Sequence, residues 1–333
     1  MTISTTFTRL LGITHPVVLA PMGGVAGGKL ASAVSEAGGL GIIGGGYGNP
    51  KLGYGGPEFM DREFRAAGNS RIGVGYITWS LAKFPELFDQ ALARKPAAFF
   101  LSFGDESQFA PRIKAAGIPL ICQIHDVEGA RRAADAGADI LVAQGTEAGG
   151  HGKQRRATFT LVPAVVDVAG SIPVLAAGGV SDGRGLAAAL MLGASGVLIG
   201  TRFWATPEAL GSEAAKSSLV RAKGDDTIRT RVFDAVRDID WEQAYSGRAI
   251  VNDFTRQWHG REEDLLRAPA DVSARWWEAQ RAQDMSQAVV FAGEGLDLVT
   301  SIMPAGDIVR GIVREAERLI TQPEHFSITA DGF

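Results

Sequence analysis

The sequence of 333 residues contains a single cysteine, Cys122, and only five histidines. One cysteine excludes an internal disulfide and any metal site built from several cysteines, and it fits a reducing cytosol. The formal net charge is −4, so the chain lacks the basic excess of proteins that bind nucleic acid or an anionic membrane. No apolar run is long enough to span a bilayer, and the N-terminus has no secretory signal pattern. These absences predict a soluble cytoplasmic protein.

Glycine is the residue in excess. The chain contains 43 glycines, whereas average usage is roughly 7%. They follow no collagen period and concentrate where short apolar runs end. Because glycine has no Cβ, it lets the backbone approach a neighbouring group closely. The placement therefore indicates strand ends that lie against a bound molecule.

Short apolar runs recur before residue 201, with helical patterns between them. Several follow a helix end marked by glycine, as in "EAGGLGII" and "DAGADILV", where glycine suits a left-handed helix cap. Buried strands that alternate with helices indicate a parallel sheet covered on both faces. The eight runs are residues 17–20, 40–43, 72–75, 98–101, 118–122, 140–143, 173–177 and 197–199.

Eight strand–helix units in about 200 residues favour a TIM (β/α)8 barrel. The alternative is a Rossmann-type sheet, because Gly44-Gly45-Gly46 follows the second run, but this triplet lacks the G-x-G-x-x-G spacing. We therefore predict an α/β protein in three parts. They are a barrel over residues 1–205, a smaller, mainly helical domain over 206–303, and a C-terminal helix over 304–333 that packs back on the barrel.

The helical domain contains two adjacent tryptophans, Trp276 and Trp277. We expect them to anchor its core, since aromatic side chains bury large apolar areas. The alternative is that they line a ligand cavity.

The strand ends of such barrels carry the active site. After the seventh run, Gly178 and Gly179 stand before a helix that begins near Asp182. Their backbone N–H groups and the helix N-terminus suit an anion. Gly200 and Thr201 follow the eighth run, and phosphates recur between the last two loops of these barrels. We predict a phosphate site here, with tight turns that bind nothing as the alternative.

The stretch "QGTEAGGHGK" follows the sixth run and places His151 in a Gly-rich loop without a strand or helix pattern. Such a loop offers little burial, which disfavours a structural core histidine. A metal site is disfavoured because His125 follows another strand and no acidic cluster or H-x-x-x-H stands nearby. We predict that His151 is a general base or substrate hydrogen-bond partner, since imidazole titrates near neutrality. Glu147 is the alternative base, although we expect it to orient the loop.

Four stretches together resemble the nitronate monooxygenases, formerly called 2-nitropropane dioxygenases. They are "APMGGV", "AQGTEAGGHG", "AAGGVSDGRGLAAALMLGASGVLIGTRF" and "GRAIVNDFTRQWHGRE". The resemblance covers most of the chain and implies an FMN-containing TIM barrel over which a smaller helical domain closes. Such enzymes oxidise alkyl nitronates with O2 to a carbonyl compound and nitrite. The sequence leaves open whether the chain forms a homodimer.

The resemblance also implies two groups of flavin contacts. Those along the isoalloxazine ring and its ribityl edge are Pro21, Met22, Gly23, Gln123 and Gly149. Those around the FMN phosphate are Gly178, Gly179, Gly200 and Thr201. His151 would be the catalytic base over the reactive face of the flavin. The glycines beside it would let the loop lie flat against the flavin ring.

Two features depart from the family pattern. Some relatives carry lysine at the position of Gln123, so the effect of this neutral amide on the flavin stays open. Lys153, Arg155 and Arg156 follow His151. They form a solvated charge run or attract an anionic substrate.

Three other functions stay open from the sequence. FMN-dependent NAD(P)H:quinone reductases and enoyl-ACP reductases share the barrel and much of the motif set. They need no dinucleotide fingerprint, so its absence here does not exclude them. A phosphosugar lyase or isomerase would use the phosphate site without flavin. A protein that binds flavin or another phosphate ligand without catalysis is the third alternative.

Overall fold

The structure, a computed structural model, describes residues 3–48 and 54–322. Its main sheet consists of β1 (Val17–Leu19), β2 (Ile42–Gly46), β3 (Gly73–Ile77), β4 (Phe99–Ser102), β5 (Leu120–Ile124), β6 (Ile140–Gln144), β8 (Val174–Ala177) and β9 (Gly196–Ile199). These strands pair in parallel in the order β1-β9-β8-β6-β5-β4-β3-β2. A further parallel bridge joins Val18 to Leu40, just before β2, and closes the ring. The predicted TIM barrel is confirmed, with one strand in or beside each predicted run.

β2 differs most from its predicted range, because it includes the three glycines that suggested a nucleotide loop. A Cβ at Gly44 would lie 2.5 Å from the carbonyl carbon of Met22, and one at Gly45 would lie 2.2 Å from Tyr76 Cε1. The glycines therefore let this strand pack closely against the first strand end and against β3. They are part of the barrel wall.

Alternate residues of each strand face opposite sides of the barrel wall. Val18, Phe100 and Val142 belong to a buried cluster inside the barrel, to which Phe7 and Leu11 of α1 (Thr6–Leu11) also belong. The residues that flank them in sequence, such as Phe99 and Leu101, belong to a second cluster between strands and helices. This alternation is typical of small barrels, whose interior is filled by side chains.

Helices cover the outside of the barrel. They are α2 (Gly28–Glu36), α3 (Pro57–Ala66), α4 (Thr78–Leu81), α5 (Pro85–Ala93), α6 (Ala110–Ala115), α7 (Val127–Asp135), α8 (Thr158–Ala169), α9 (Gly183–Met191) and α10 (Thr201–Trp204). The C-terminal α16 (Ala305–Thr321) packs against α9 and α2. Part of the predicted last segment, residues 323–333, lies outside the described residues.

The chain between α10 and α16 is mainly helical and also contains two strands. Its elements are α11 (Glu213–Arg221), β10 (Thr227–Thr230), α12 (Val232–Val236), β11 (Tyr245–Ile250), α13 (Asp253–Trp258), α14 (Glu262–Leu266) and α15 (Ala270–Ala282). The domain limits at residues 205 and 303 stay a prediction.

The expectation of an irregular loop around His151 is wrong. Residues 150–153 form the strand β7 (Gly150–Lys153), which pairs antiparallel with β11 and so enters a three-stranded sheet with β10. His151 stands opposite Gly247 in this pairing. The partner strand lies far along the chain, so no local pattern in a Gly-rich segment could indicate it.

Within residues 3–48 and 54–322, no helix combines the length and the apolar character that a membrane crossing requires.

Candidate active site

A cavity of about 570 Å³ lies at the C-terminal ends of the barrel strands. One part of its wall comes from these strand ends, and another comes from residues of α15 and the segment after it. Its volume falls in the range of small-molecule sites. Every residue predicted to contact the cofactor or to act as base lines it: Pro21, Met22, Gly23, Gln123, Gly149, His151, Gly178, Gly179, Gly200 and Thr201.

The loops after β8 and β9 offer free backbone donors. Gly178 and Gly179 have φ values of +104° and +73°, a region that side chains other than glycine rarely adopt. The N–H groups of Gly179, Val180 and Thr201 make no hydrogen bond within the part of the chain that the structure describes. Successive free N–H groups at a loop of this kind can hold an anion.

The predicted contribution of the α9 N-terminus to this anion site is wrong. Asp182 is the N-cap residue, and its carboxylate accepts the N–H groups of Arg184 and Gly185 at 3.0 and 3.3 Å. Glu315 of α16 accepts the N–H of Gly183 at 2.7 Å. Two carboxylates therefore occupy the first turn of α9, and they would repel a phosphate placed there.

His151 is buried between the barrel and the chain that follows it, with 9% of its surface exposed. Its ring stacks on Trp241, with ring centroids 4.0 Å apart and planes 7° from parallel. The expectation that a Gly-rich segment would leave this side chain unburied is wrong, because residues from beyond the barrel cover it. His151 is thus held in one orientation at the cavity wall.

Asp234 of α12 fixes the other side of the imidazole. The Nε2 atom of His151 lies 2.9 and 3.0 Å from the two carboxylate oxygens of Asp234. Arg237 Nη2 donates to the same carboxylate at 3.0 Å. Burial opposes the charge on Asp234, but the neighbouring His151 and Arg237 outweigh it and lower the pKa of this carboxyl. The carboxylate is therefore ionised at neutral pH.

The ionised carboxylate determines the tautomer of His151. Because a carboxylate can only accept hydrogen bonds, Nε2 must carry the proton that it donates to Asp234. In the neutral imidazole, the lone pair is then on Nδ1. The geometry thus supplies an oriented imidazole whose Nδ1 can accept a proton, with the carboxylate ready to stabilise the resulting cation.

Sequence reasoning missed Asp234, Arg237 and Trp241. One signal was present, since Asp234 interrupts the short apolar stretch "VFDAV". An aspartate at such a buried position is rare unless it is paired. The sequence does not name its partner, because His151 lies 83 residues away.

Two arginines hold the main chain on the N-terminal side of His151. Arg229 of β10 donates to the carbonyl oxygens of Thr146 at 2.9 Å and Ala148 at 3.2 Å. Arg248 of β11 donates to the same Thr146 oxygen at 3.1 Å. Burial, with a smaller effect of Arg248, lowers the pKa of Arg229 to about 10, so it remains charged at neutral pH. These bonds fix the segment that leads into β7.

Gln123 belongs to a polar chain at the end of β5. Its Nε2 donates to Gln144 Oε1 at 3.1 Å, and the same oxygen lies 2.6 Å from His125 Nε2. Burial lowers the pKa of His125 to about 4, so His125 is neutral and donates to the amide. Gln123 and Gln144 line the cavity, whereas His125 does not.

The cations after His151 have partners elsewhere. Lys153 Nζ lies 3.1 Å from Asp126 Oδ2, and an Arg155 nitrogen lies 3.7 Å from the same oxygen. Arg156 donates to the Thr160 carbonyl at 2.8 Å. None of the three lines the cavity. Within the described residues, the lining includes Arg237 and Arg281 and no aspartate or glutamate.

Several other candidates have clear positions. The Glu147 carboxylate accepts the N–H and the hydroxyl of Thr158 at the start of α8, and it does not line the cavity. Trp276 and Trp277 both line the cavity, while Trp276 also packs in a buried cluster with Phe233. These tryptophans therefore have both of the roles weighed from the sequence.

Cys122 is buried in β5, and burial raises the pKa of its thiol well above the usual value. It therefore has no nucleophile character at neutral pH. The described residues contain no group of three or more His, Cys, Asp or Glu side chains that could hold a metal ion.

A parallel barrel with a cavity at its strand ends, free loop N–H groups and an oriented histidine defines a TIM-barrel enzyme. The sequence profile of the family named nitronate monooxygenase matches residues 4–66 and 74–315. The chain therefore belongs to the nitronate monooxygenase family, whose members are flavoproteins, and it is a flavin oxidoreductase.

Individual relatives fall into more than one activity class. A nitronate monooxygenase of Neurospora crassa is 32% identical over 354 residues, covering 94% of this chain and 92% of that protein. A second relative, from Mycobacterium tuberculosis, is named (3aS,4S,5R,7aS)-5-hydroxy-7a-methyl-1-oxo-octahydro-1H-indene-4-carboxyl-CoA dehydrogenase. It is 37% identical over 238 residues, which cover 71% of this chain and 65% of that protein.

Two solved structures share the whole architecture. FabK from Thermotoga maritima has a TM-score of 0.80 at 30% identity and covers 96% of this chain and 98% of its own. Nitroalkane oxidase from Streptomyces ansochromogenes has a TM-score of 0.74 at 27% identity, and the match covers 95% of this chain and 99% of that one.

We predict that Asp234→Asn lowers turnover of a neutral nitroalkane at least tenfold, part of the roughly 10²- to 10⁴-fold that a positioned base contributes. The neutral amide no longer requires the proton on Nε2 and no longer stabilises an imidazolium. The measurement is kcat for nitroethane at matched flavin content. Asp253→Asn, at an exposed pair with Arg256, is the control and should leave kcat unchanged. Equal rates for wild type and Asp234→Asn would remove the carboxylate from catalysis.

Proposed function

We propose that this protein oxidises alkyl nitronates with O2 to a carbonyl compound and nitrite, using FMN, with His151 as catalytic base. Two nitronates and one O2 would give two carbonyl compounds and two nitrite ions. The observation that carries the proposal is His151 itself, held by Asp234 at 2.9 Å on the wall of a cavity that contains no carboxylate among its described lining residues. An anionic substrate and an anionic cofactor both suit such a cavity. Assembly as a homodimer stays a prediction.

The residues of the cavity fit FMN. The free N–H groups of Gly179, Val180 and Thr201 suit a single phosphate, and the glycines there leave room for it. The isoalloxazine ring would lie along Pro21, Met22 and Gly23, which follow β1, and against Gly149. Gln123 would meet its edge or the ribityl chain. When bound, FMN would supply the electron transfer between substrate and oxygen.

The protein's own contribution is placement and proton transfer. A neutral nitroalkane must lose its α-proton before oxidation, and a base within hydrogen-bond reach accelerates this step. Nδ1 of His151 has the lone pair for it, and Asp234 stabilises the imidazolium that forms. The stacked Trp241 ring and the buried surroundings exclude water from this side of the imidazole.

A second candidate is an NAD(P)H-dependent reductase on the same barrel, favoured by the close match to FabK and by the dehydrogenase among the relatives. The same FMN site would serve it. The two functions differ in the electron donor, because only the reductase consumes NAD(P)H.

We predict that Gly179→Ala purifies mostly without FMN, with FMN affinity at least about tenfold weaker, a loss of about 1.4 kcal/mol. The added Cβ would meet only Glu147 Cβ at 3.7 Å, but alanine is strained at the φ of +73°, so we expect the loop to shift and its N–H groups to turn away from the phosphate. The measurement is FMN released per chain after heat denaturation.

Gly170→Ala is the matched control. Gly170 also has a positive φ, +60°, and a Cβ there would meet no atom within 4 Å. Alanine is strained at both positions because φ is positive, but Gly179 lines the cavity and Gly170 does not. Equal FMN content in both would place the phosphate elsewhere, and release of FAD would contradict FMN.

We predict that His151→Asn reduces turnover of neutral nitroethane by about 10²-fold or more, the scale of a positioned base. Turnover of preformed ethyl nitronate should fall less, because that substrate has already lost its proton. The measurement is kcat on both substrates at matched FMN content. His259→Asn is the control, since His259 bonds Thr230 outside the cavity.

Two results would contradict this role for His151. Equal losses on both substrates would mean that His151 positions the substrate and does not remove its proton. Unchanged rates on both would remove it from the mechanism.

A further inference from the structure

Arg237 lies in a buried network with Asp234 and His151, and the proton transfer described above assigns it no role. Its Nη2 donates to Asp234 Oδ1 at 3.0 Å, and the same oxygen lies 2.9 Å from His151 Nε2. Its Nε donates to the Phe233 carbonyl at 2.6 Å. Only 5% of the Arg237 side chain and 4% of the Asp234 side chain are exposed. One carboxylate is thus shared between a guanidinium and the imidazole.

The groups around this network add no compensating charge. Arg237 lies over the rings of Tyr47 at 5.9 Å and Phe291 at 5.6 Å. Burial raises the pKa of Tyr47 and of Tyr54, which also faces Arg237, so both are uncharged at neutral pH. Trp241 covers the imidazole face and carries no charge. Among the described groups that contact one another in this network, His151, Asp234 and Arg237 are therefore the ones that can carry charge.

The net charge of this network differs between the two protonation states of His151. With His151 neutral, the guanidinium and the carboxylate balance. With His151 protonated, the network carries one uncompensated positive charge away from water, which is costly. Without Arg237, the reverse holds, because an imidazolium would then balance Asp234.

We propose that Arg237 is a positioning residue that holds the Asp234 carboxylate for His151 and keeps the imidazole unprotonated near neutral pH until an anion forms in the cavity. The proposal rests on the proposed role of His151 as base. In the step concerned, the substrate Cα–H bond breaks and an Nδ1–H bond forms, while the electron pair stays on the substrate as a nitronate. The new anion then balances the charge of the protonated network.

The test compares Arg237→Gln, which keeps a hydrogen-bond donor without charge, with Arg237→Lys, which keeps the charge. In FMN-loaded protein labelled with ¹³C at histidine, the five histidines give few signals, and the His151 signal is the one absent from His151→Asn. We expect the His151 signal of Arg237→Gln to titrate at least about one pH unit higher than wild type, which corresponds to about 1.4 kcal/mol. Arg237→Lys should restore most of this difference.

The pH dependence of kcat/KM for nitroethane should follow the same order. The acid limb of Arg237→Gln should move to higher pH, because the protonated histidine cannot accept the α-proton. Arg202→Gln is the control: Arg202 is buried and donates to the Ser301 carbonyl, but it does not line the cavity. It should leave the His151 titration unchanged.

Each outcome decides a separate point. An unchanged His151 titration in folded, FMN-loaded Arg237→Gln would overturn the role of Arg237. An unchanged titration with a raised KM for ethyl nitronate would make Arg237 a direct substrate-binding residue instead. A shifted titration with an unmoved acid limb would support Arg237 but refute His151 as the base. Failure of Arg237→Lys to restore the titration while it folds normally would refute the dependence on charge.

Discussion

The hydrogen bond between His151 and Asp234 is the contact on which the candidate site depends. It joins β7, which lies in the chain between the barrel strands β6 and β8, to the short helix α12, where Asp234 stands 83 residues further along the chain. Two other features hold His151 in position. β7 pairs with β11, where His151 stands opposite Gly247, and Arg229 and Arg248 donate hydrogen bonds to the Thr146 carbonyl. The barrel alone supplies a cradle for a cofactor. The chain beyond α10 supplies Asp234 and Trp241, which fix the imidazole of His151.

Such a network is an expensive way to stabilise a protein. Buried ion pairs commonly contribute little or nothing relative to apolar packing, whereas loss of one partner costs about 3–5 kcal/mol. Three polar side chains under aromatic rings are therefore better explained by what they do for the imidazole than by stability. The same reasoning applies to Arg229, whose buried charge is solvated by backbone carbonyls of the segment before β7.

The sequence was sufficient for the barrel and for the strand ends, because each strand is a local apolar run and parallel barrels place their sites at one end. The glycine-rich loops could be assigned to the cavity for the same reason. Sequence patterns did not predict the contacts between segments that lie far apart in the chain. The α9 N-terminus looked free, but Glu315 from the last helix occupies it together with Asp182. β7 has no strand pattern of its own, and Asp234 gave only the weak signal of an acidic residue in an apolar stretch.

The most direct test of the proposed activity is to mix the FMN-loaded protein anaerobically with ethyl nitronate and, separately, with NADPH, while the flavin absorbance is followed. A nitronate-oxidising enzyme should lose its oxidised flavin band with ethyl nitronate within one turnover time and recover it when O2 is admitted. NADPH should leave the band unchanged over the same period. Rapid bleaching by NADPH, with no response to ethyl nitronate and with electrons passed on to a quinone, would contradict the proposal and identify a reductase.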